Sequence, residues 1–340
     1  MRRRLQLPVL LIAAVLGLAA CGGGEDAGAG SDGELTVYSG RSEKLVGPLL
    51  KRFEEQSGIT LKVRYGESAE LAATLAEEGD KSPAELFFSQ DAGALGAVAD
   101  AGLLRELPAA TRRKIDARWV DPAGRWVGTS GRSRVVAYST DRLTEAEVPD
   151  SVFDFADPKW KGRIGLAPPN ASFQAFVSAM RLDVGQERTR AWLGSIKANE
   201  PKLLENNIQT EEAIAAGEID VGFVNHYYLG ELKAEKPGFP VANHFMAKGD
   251  PGALVNVAGA GIVEHEDTGD AQKLVDFLLG EQAQRYFAET TTEYPLVDGV
   301  APPADLPPLA DLQGPDIELG ALGDELRGTL ELLDEVGFGT

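Results

Sequence analysis

The sequence is short of the residues on which many enzymes and disulfide-bonded folds depend. Its 340 residues include one cysteine, at position 21, and three histidines, at positions 226, 244 and 265. A single cysteine allows no disulfide within the chain and no multi-thiolate metal site. The chain has no G-x-S-x-G, H-E-x-x-H or G-x-x-x-x-G-K-[ST] motif, and no G-x-G-x-x-G motif after a strand. These absences disfavour histidine-based hydrolysis, phosphate-loop chemistry and dinucleotide chemistry.

Basic charge is also scarce. Lysine and arginine number 33 against 53 aspartates and glutamates, which gives a formal net charge of −20. Such an acidic body repels the phosphates of nucleic acids, and no basic stripe offsets the repulsion. We therefore expect no nucleic-acid partner.

The N-terminus has the organisation of a secretory signal. Residues 1–20 contain three arginines, then an apolar run, then small residues. The apolar run is too short for a spanning anchor. The sequence from Leu18 to Cys21 resembles the lipobox of bacterial lipoproteins, with an ordinary cleaved signal and a structural cysteine as the alternative. We expect export, lipidation of Cys21, a flexible tether over 21–33, and attachment to the outer face of the cytoplasmic membrane by the lipid alone.

From Glu34 onwards, short apolar runs alternate with amphipathic windows. The pattern predicts strands in ELTVYSG, ITLKVRYG and AELFFSQ, each followed by a helix, with Ser42 capping the first helix and Gly58 ending it. Further on, RIGLAPPN reads as a strand and loop, two helical windows extend to about residue 200, and TEEAIAAGE and IDVGFVN read as a helix and a strand. The alternation predicts an α/β fold whose first strands are parallel.

Two long extended segments interrupt this rhythm. They are RWVGTSGRSRVVAYST, at 125–140, and ALVNVAGAGIV, at 253–263. Both could cross between two lobes, which would place a cleft at the C-terminal ends of strands, where open α/β sheets bind ligands.

A tyrosine pair follows the strand IDVGFVN, in the stretch NHYYLG. Tyr227 and Tyr228 could fill the core, form a stacking platform, or donate two oxygens to a hard metal ion. We expect the pair to precede regular helix, so that the side chains converge. In mid-helix they would diverge by about 100°. His226 is expected to be a strand-end side chain and not a base.

Several ordered blocks resemble the periplasmic ferric-binding proteins, the substrate-binding components of iron(III) ABC importers. They include ELTVYSGRSEKL, SGRSRVVAYSTDRL, DPKWKGRIGLAPP, AAGEIDVGFVNHYYLG, KGDPGALVNVAGAG and TEYPLV, and the resemblance covers 34–340. It implies a bilobal, class II periplasmic-binding-protein fold that holds one Fe³⁺ between the lobes through Tyr227 and Tyr228. On this basis we assign 34–132 and 258–308 to lobe 1, and 133–257 and 309–340 to lobe 2.

Some positions depart from the family's usual ligands. Many members have a histidine in the first loop and a glutamate after the third strand, where this chain has Ser42 and Gln90. Neither is a strong Fe³⁺ donor, and Asp91 is a substitute carboxylate. A third tyrosine of other members is matched by Phe173, as in the subgroup that recruits an exogenous anion. That subgroup implies an anion site at Asn170, Ala171, Ser172 and one of Asn206 or Asn207. Arg132 could add a charge-assisted hydrogen bond to the anion, with a surface or structural arginine as the alternative.

Charge counting supports an anion. Fe³⁺ with two phenolates keeps one positive charge, which carbonate, phosphate or a citrate-like chelator would neutralise. The sequence thus predicts a monomeric, extracytoplasmic receptor that delivers ferric iron to an ABC permease and is not an enzyme. One alternative is a receptor of the same fold for an oxyanion, a polyamine or another small organic ligand. A hydrolase or lyase using Asp91, His226 and a tyrosine is disfavoured because no nucleophile motif is present.

Overall fold

The computed structural model describes residues 33–265 and 269–339, which form one compact unit. The predicted signal, Cys21 and all but the last residue of the predicted tether lie outside the described residues. Within the described ranges, no helix has the length and apolar character needed to cross a bilayer.

The fold is a mixed α/β arrangement. Its strands are β1 (Glu34–Ser39), β2 (Thr60–Tyr65), β3 (Leu86–Ser89), β4 (Trp126–Ser139), β5 (Ile164–Leu166), β6 (Lys202–Leu203), β7 (Val221–Asn225), β8 (Val241–His244), β9 (Val255–Ile262) and β10 (Tyr294–Pro295). Its helices are α1 (Glu43–Ser57), α2 (Ser68–Glu78), α3 (Ala92–Asp100), α4 (Ala109–Arg112), α5 (Ala171–Val184), α6 (Gln186–Ala198), α7 (Asn207–Ala215), α8 (Tyr227–Glu235), α9 (Gly269–Leu278), α10 (Glu281–Glu289) and α11 (Leu322–Val336).

One path of strands runs in the order β2-β1-β3-β9-β4-β7-β5-β6, with β8 and β10 also paired to β4. The strands β1, β2 and β3 are parallel, as predicted, whereas β9 is antiparallel to β3. On the other side β5 lies parallel to β6 and β7. Because parallel strands end at the same edge, the loops after β5 and β7 emerge together.

The long strand β4 joins two halves of this sheet. It pairs with β9 from Trp126 to Ser133 and with β7 from Arg134 to Tyr138. We call β1, β2, β3, β9, β10 and β4 up to Ser133 the first half, and β5, β6, β7, β8 and β4 from Arg134 the second half. The predicted lobe boundary after residue 132 falls beside this change of partner, and the lobe assignment itself stays a prediction.

Local signals explain several element ends. Gly58 ends α1 in the left-handed conformation, with φ of 74°, and donates its N–H to the Glu54 carbonyl. Ser42 occupies the N-cap position of α1, but its side chain makes no capping hydrogen bond. α7 begins at Asn207, three residues before the predicted TEEAIAAGE helix, because the Asn206 side chain caps it.

The C-terminal helix α11 packs on both α3 and α5. At the α3 contact the backbones nearly touch, since a Cβ atom at Gly323 would lie 2.3 Å from the Gly93 carbonyl oxygen. At the α5 contact the hydroxyls of Ser178 and Thr329 are 2.7 Å apart. α11 therefore connects a helix of the first half to a helix of the second.

Candidate functional site

The tyrosine pair stands at the buried end of β7. Tyr227 and Tyr228 are the first two residues of α8, so the expectation that they precede regular helix was wrong. Their rings nevertheless converge, with centroids 4.2 Å apart and planes inclined by 31°. Tyr227 is 2% exposed and Tyr228 is half-buried. The two phenols therefore converge although both residues belong to the helix.

The surroundings of Tyr227 shift the pKa of its phenol in opposite directions. Burial, followed by the neighbouring Tyr228, raises the pKa of the Tyr227 phenol well above its usual range. The guanidinium groups of Arg132 and Arg41 act in the opposite direction, because they favour the phenolate. A directly bound cation would favour the phenolate far more strongly.

A polar cluster forms at the N-terminus of α5. Asn170 caps this helix by accepting the Ser172 N–H at 3.1 Å, and its Oδ1 also accepts from the Asn207 side-chain amide at 3.0 Å. Arg134 Nη1 donates to Ser172 Oγ at 3.0 Å. These side chains lie at the positive end of the α5 helix dipole, and the combination makes a site suited to an anion.

Arg134 is the residue that sequence reasoning missed. It is 3% exposed, its Nη2 has no hydrogen-bond partner in the described part of the chain, and its guanidinium carbon lies 5.4 Å from the centre of the Phe176 ring. Burial lowers its pKa to about 9, with the nearby Tyr228 acting in the opposite direction. We call Asn170, Ser172, Asn207 and Arg134 the anion cluster. Arg134 links this cluster to the tyrosine pair, because it donates a hydrogen bond to Ser172 and interacts electrostatically with Tyr228.

The predicted Arg132 lies beside Glu293, and its guanidinium acts on the Tyr227 phenol. Its Nε is 3.9 Å from Glu293, which also forms a fully buried ion pair with Arg41 at 2.6 Å. Arg132 and Arg134 are two residues apart, so both are expected on the same face of a regular strand. Sequence alone could not decide which of them meets the α5 loop.

The structure also separates the two candidate asparagines. Asn207 is 1% exposed and contacts Asn170 and Ser172, whereas Asn206 accepts the Gln209 N–H as the cap of α7. Ala171 is an exposed first residue of α5. Asn207 is therefore the one placed in the anion cluster.

The first half contributes the loop that holds Ser42 and the end of β3 that holds Gln90. Ser68 joins them, because its hydroxyl accepts the Gln90 N–H at 2.9 Å and lies against Gly40. Ser42 is exposed and Gln90 is half-buried. The Asp91 carboxylate caps α3 by accepting the Ala94 N–H at 2.9 Å, so its orientation is set by the helix end.

Phe173 and His226 lie near the site but are buried. Phe173 is 1% exposed and packs in the core beside Phe176, at a centroid distance of 6.0 Å. His226 is 2% exposed, and burial lowers its pKa to about 4, so the ring is neutral. Its position at the end of β7 agrees with the expected strand-end side chain.

The two halves also meet near the tyrosines. Lys44 on α1 approaches Glu231 on α8 at 2.5 Å. This pair is largely exposed, so it contributes little stability by itself. It shows that the helix after the Ser42 loop faces the helix that carries Tyr227 and Tyr228.

Two surface cavities have linings that do not include Tyr227 or Tyr228. One of about 470 Å³ lies on the 146–159 segment, which contains none of the predicted site residues. A groove of about 210 Å³, which we call the proline groove, is lined by Pro168, Pro169, Leu203, Leu204, Glu205, Phe338 and Gly339. It adjoins the anion cluster because Pro169 directly precedes Asn170.

In the described part of the chain, no group of three or more histidine, cysteine, aspartate or glutamate side chains could hold a metal ion.

Comparison with known proteins gives consistent matches. The family model described as "Bacterial extracellular solute-binding protein" matches residues 81–313. The chain is 33% identical over 309 residues to the major ferric iron-binding protein of Neisseria gonorrhoeae, covering 90% of this chain and 93% of that protein. It is 32% identical over 316 residues to the Fe(3+)-binding periplasmic protein of Serratia marcescens, with 91% and 92% coverage.

Solved structures agree. Iron-bound HitA from Pseudomonas aeruginosa superposes with a TM-score of 0.84 at 33% identity, covering 90% of this chain and 99% of that one. The Trichodesmium protein IdiA (FutA), in complex with iron and citrate, gives a TM-score of 0.80 at 28% identity, again with 90% and 99% coverage. The predicted bilobal α/β fold is confirmed by these likenesses.

Proposed function

Since the chain belongs to the bacterial extracellular solute-binding protein family, we propose that it carries ferric iron outside the cytoplasm and delivers it to an ABC permease. Relatives that cover nine-tenths of the chain are named as iron-binding proteins. It is a transport receptor, not an enzyme. Iron is its cargo and not a resident cofactor.

The observation that carries the proposal is the convergence of Tyr227 and Tyr228, with ring centroids 4.2 Å apart at the end of β7. Fe³⁺ is a small, hard cation that prefers anionic oxygen to thioether or neutral nitrogen. A phenol titrates near pH 10, but a bound cation favours the phenolate at neutral pH. Two adjacent phenols can therefore become two anionic ligands when the metal arrives.

A synergistic anion completes the proposed site. Two phenolates leave Fe³⁺ with one positive charge, and neither Ser42 nor Gln90 can neutralise it. The cluster of Asn170, Ser172, Asn207 and Arg134 offers amide, hydroxyl and guanidinium groups, with Arg134 Nη2 unpartnered among the described residues. Carbonate, phosphate and citrate-like chelators all fit this chemistry.

Iron titration tests the function. Fe³⁺ added with carbonate, phosphate or citrate should produce a visible phenolate-to-iron charge-transfer band. Tyr227→Phe and Tyr228→Phe should each remove most of the band and weaken binding by about 100-fold, or ~2.7 kcal/mol. Tyr65→Phe is the control, since Tyr65 is a half-buried tyrosine on β2.

Unchanged colour and affinity in both variants would show that the pair is not the metal site. Absence of any band in the wild-type protein, combined with tight binding of an oxyanion, a polyamine or another small organic molecule, would favour the alternative receptor. In that case the tyrosines would act as walls. Mass and elemental analysis of protein purified without added metal identifies the native cargo independently.

The anchoring arrangement is a further part of the proposal. Lipidation of Cys21 would attach a monomeric receptor to the outer face of the cytoplasmic membrane through the 21–33 tether. The support is the Leu18–Ala19–Ala20–Cys21 lipobox and the polar, glycine-rich stretch that follows it.

A further inference from the structure

Both imidazole nitrogens of His226 form hydrogen bonds with backbone groups. The Ser133 N–H donates to Nδ1 at 3.1 Å, and Nε2 lies 2.8 Å from the Thr292 carbonyl oxygen. Because a carbonyl oxygen can only accept, Nε2 carries the proton of the neutral ring and donates it to Thr292. The ring is therefore held in one tautomer and one orientation.

Ser133, at one end of this connection, is the residue after which β4 changes partner from β9 to β7. The Ser133 carbonyl also accepts the His226 backbone N–H at 3.0 Å. Hinge motions are absorbed by a few residues at such element boundaries. One side of His226 is thus fixed to the point where the two halves of the sheet meet.

Thr292, at the other end, belongs to the first half, because it lies two residues before the start of β10. Its φ of +57° lies in the left-handed region, which is strained for a β-branched residue. The next residue, Glu293, is fixed by its buried ion pair with Arg41. The strained Thr292 is therefore followed directly by a residue with a fixed side chain.

Helix α8 lies directly against Thr292. A Cβ atom at Gly230 would be 2.6 Å from Thr292 Oγ1, so the helix backbone is in contact with the threonine side chain. The His226 ring centroid also lies 6.0 Å from that of Tyr227 and 5.0 Å from that of Tyr294. The hydrogen bond to Thr292 therefore joins the two halves immediately behind the tyrosine pair.

Many buried histidines with two hydrogen bonds only fill a core. His226 differs because its two partners lie at the crossing strand and in the opposite half, and because the next residue is a proposed metal ligand. We propose that His226 is a positioning residue whose bond to Thr292 holds the halves closed behind Tyr227 and slows iron release. This inference rests on the proposed function.

Two substitutions separate the bonds of His226. His226→Asn places an amide near the former Nδ1, where its oxygen can accept the Ser133 N–H, but it cannot reach Thr292. His226→Gln places its amide N–H near the former Nε2 and can restore the bond to Thr292. The proposal requires faster iron release from His226→Asn and near-wild-type iron release from His226→Gln.

The experiment measures the rate at which iron passes from the loaded protein to an excess of a strong chelator, at fixed pH and with phosphate as the anion. His226→Asn should release iron about three- to tenfold faster, as expected for one net hydrogen bond. His226→Gln should stay within about twofold of wild type. The charge-transfer band should keep its position in both variants, because both phenolates remain ligands.

His265→Asn is the matched control. His265 Nε2 lies 2.7 Å from the Ala84 carbonyl oxygen, a bond of the same kind made within the first half. Its loss should lower the melting temperature without changing iron release. A purely structural role for His226 predicts the same behaviour, so the two histidines distinguish the explanations.

Equal release from wild type and His226→Asn, or equally fast release from the Asn and Gln variants, would overturn the inference. An absent iron band in the wild type would instead overturn the proposed function. If His226→Asn does not fold, imidazole ¹⁵N NMR of the wild type decides the question with Ga³⁺ as a diamagnetic substitute. The Nε2 proton should exchange more slowly with solvent in the Ga³⁺ form than in the metal-free form, and equal exchange would contradict the proposal.

Discussion

Gln90 is a neutral residue at a place where a carboxylate would supply both a ligand and a charge. Gln90→Glu should strengthen iron binding and reduce its dependence on an added anion, because it would neutralise the charge that two phenolates leave on Fe³⁺. Each tenfold gain in affinity corresponds to about 1.4 kcal/mol. The measurement is a competition titration against a chelator in carbonate-free buffer, repeated with phosphate.

The control for Gln90 is Gln56→Glu, which adds the same charge at an exposed position on α1. Only the change at position 90 should alter anion dependence. Tight iron binding by the wild type without any anion would contradict the idea and direct attention to Asp91.

Glu211 is a buried carboxyl group whose two oxygens have no hydrogen-bond partner within the described ranges. Burial raises its pKa well above its usual range, and Lys233 acts in the opposite direction. Because the pKa is raised on folding, its stabilising contribution is full below the unfolded pKa of about 4.3 and is lost as pH rises towards the folded value. Relative to Glu211→Gln, the wild type should therefore lose stability between pH 5 and pH 8.

Urea denaturation of both proteins at the two pH values measures this difference. Glu212→Gln on the same helix is the control, since Glu212 is exposed and pairs with Lys236 at the surface. A stability difference between the wild type and Glu211→Gln that did not change with pH would show that the Glu211 carboxyl titrates normally.

Sequence reasoning located the tyrosine pair and the α5 loop because each follows a recognisable strand. It named Arg132 and missed Arg134, because residues two apart are expected on the same face of a regular strand and only the change of β4 partner between them distinguishes their surroundings. It could not choose between Asn206 and Asn207 either, because only the start of α7 decides which one becomes a cap. These choices depend on contacts between distant segments.

Elements with clear periodicity were predicted well. β1, β2, β3, α1 and both long extended segments appear where the pattern placed them. The two-residue strands β6 and β10 are fixed by pairing and not by local preference, so they had no signal in the sequence. α11 was not predicted. It contains glycines, which lower helix propensity, and these fit close contacts: Gly323 lies against the backbone of α3 and Gly328 against the Arg181 side chain of α5.

The contact between α3 and the turn at 319–321, just before α11, depends on glycine. Gly96→Ala should destabilise the protein by about 1–3 kcal/mol, since its Cβ would meet a backbone carbonyl oxygen that cannot move aside. Gly194→Ala should instead stabilise by about 0.5–1 kcal/mol, because Gly194 is exposed in α6 with no atom of the described residues near its added Cβ. Thermal unfolding checks both signs, and equal shifts in the two variants would contradict the packing argument.

At the scale of the whole molecule, a prediction concerns how the receptor is attached to the membrane. Cys21→Ser should move the mature protein from the membrane fraction to the soluble extracytoplasmic fraction, because the lipid is the proposed attachment. Fractionation followed by mass analysis of the N-terminal peptide measures this. Ser31→Ala in the tether is the control and should remain membrane-bound. Equal membrane association of the Cys21→Ser protein would refute the lipoprotein interpretation.

The proline groove gives the molecule a practical use. Leu203 is 50% exposed on its wall, and the only cysteine of the chain is at position 21. A chain that starts after that residue and carries Leu203→Cys would accept a single thiol-reactive dye beside the loop that precedes Asn170. Its fluorescence would then report occupancy of the neighbouring anion cluster in real time, with every proposed donor atom left in place, which makes the receptor an optical sensor for its own cargo.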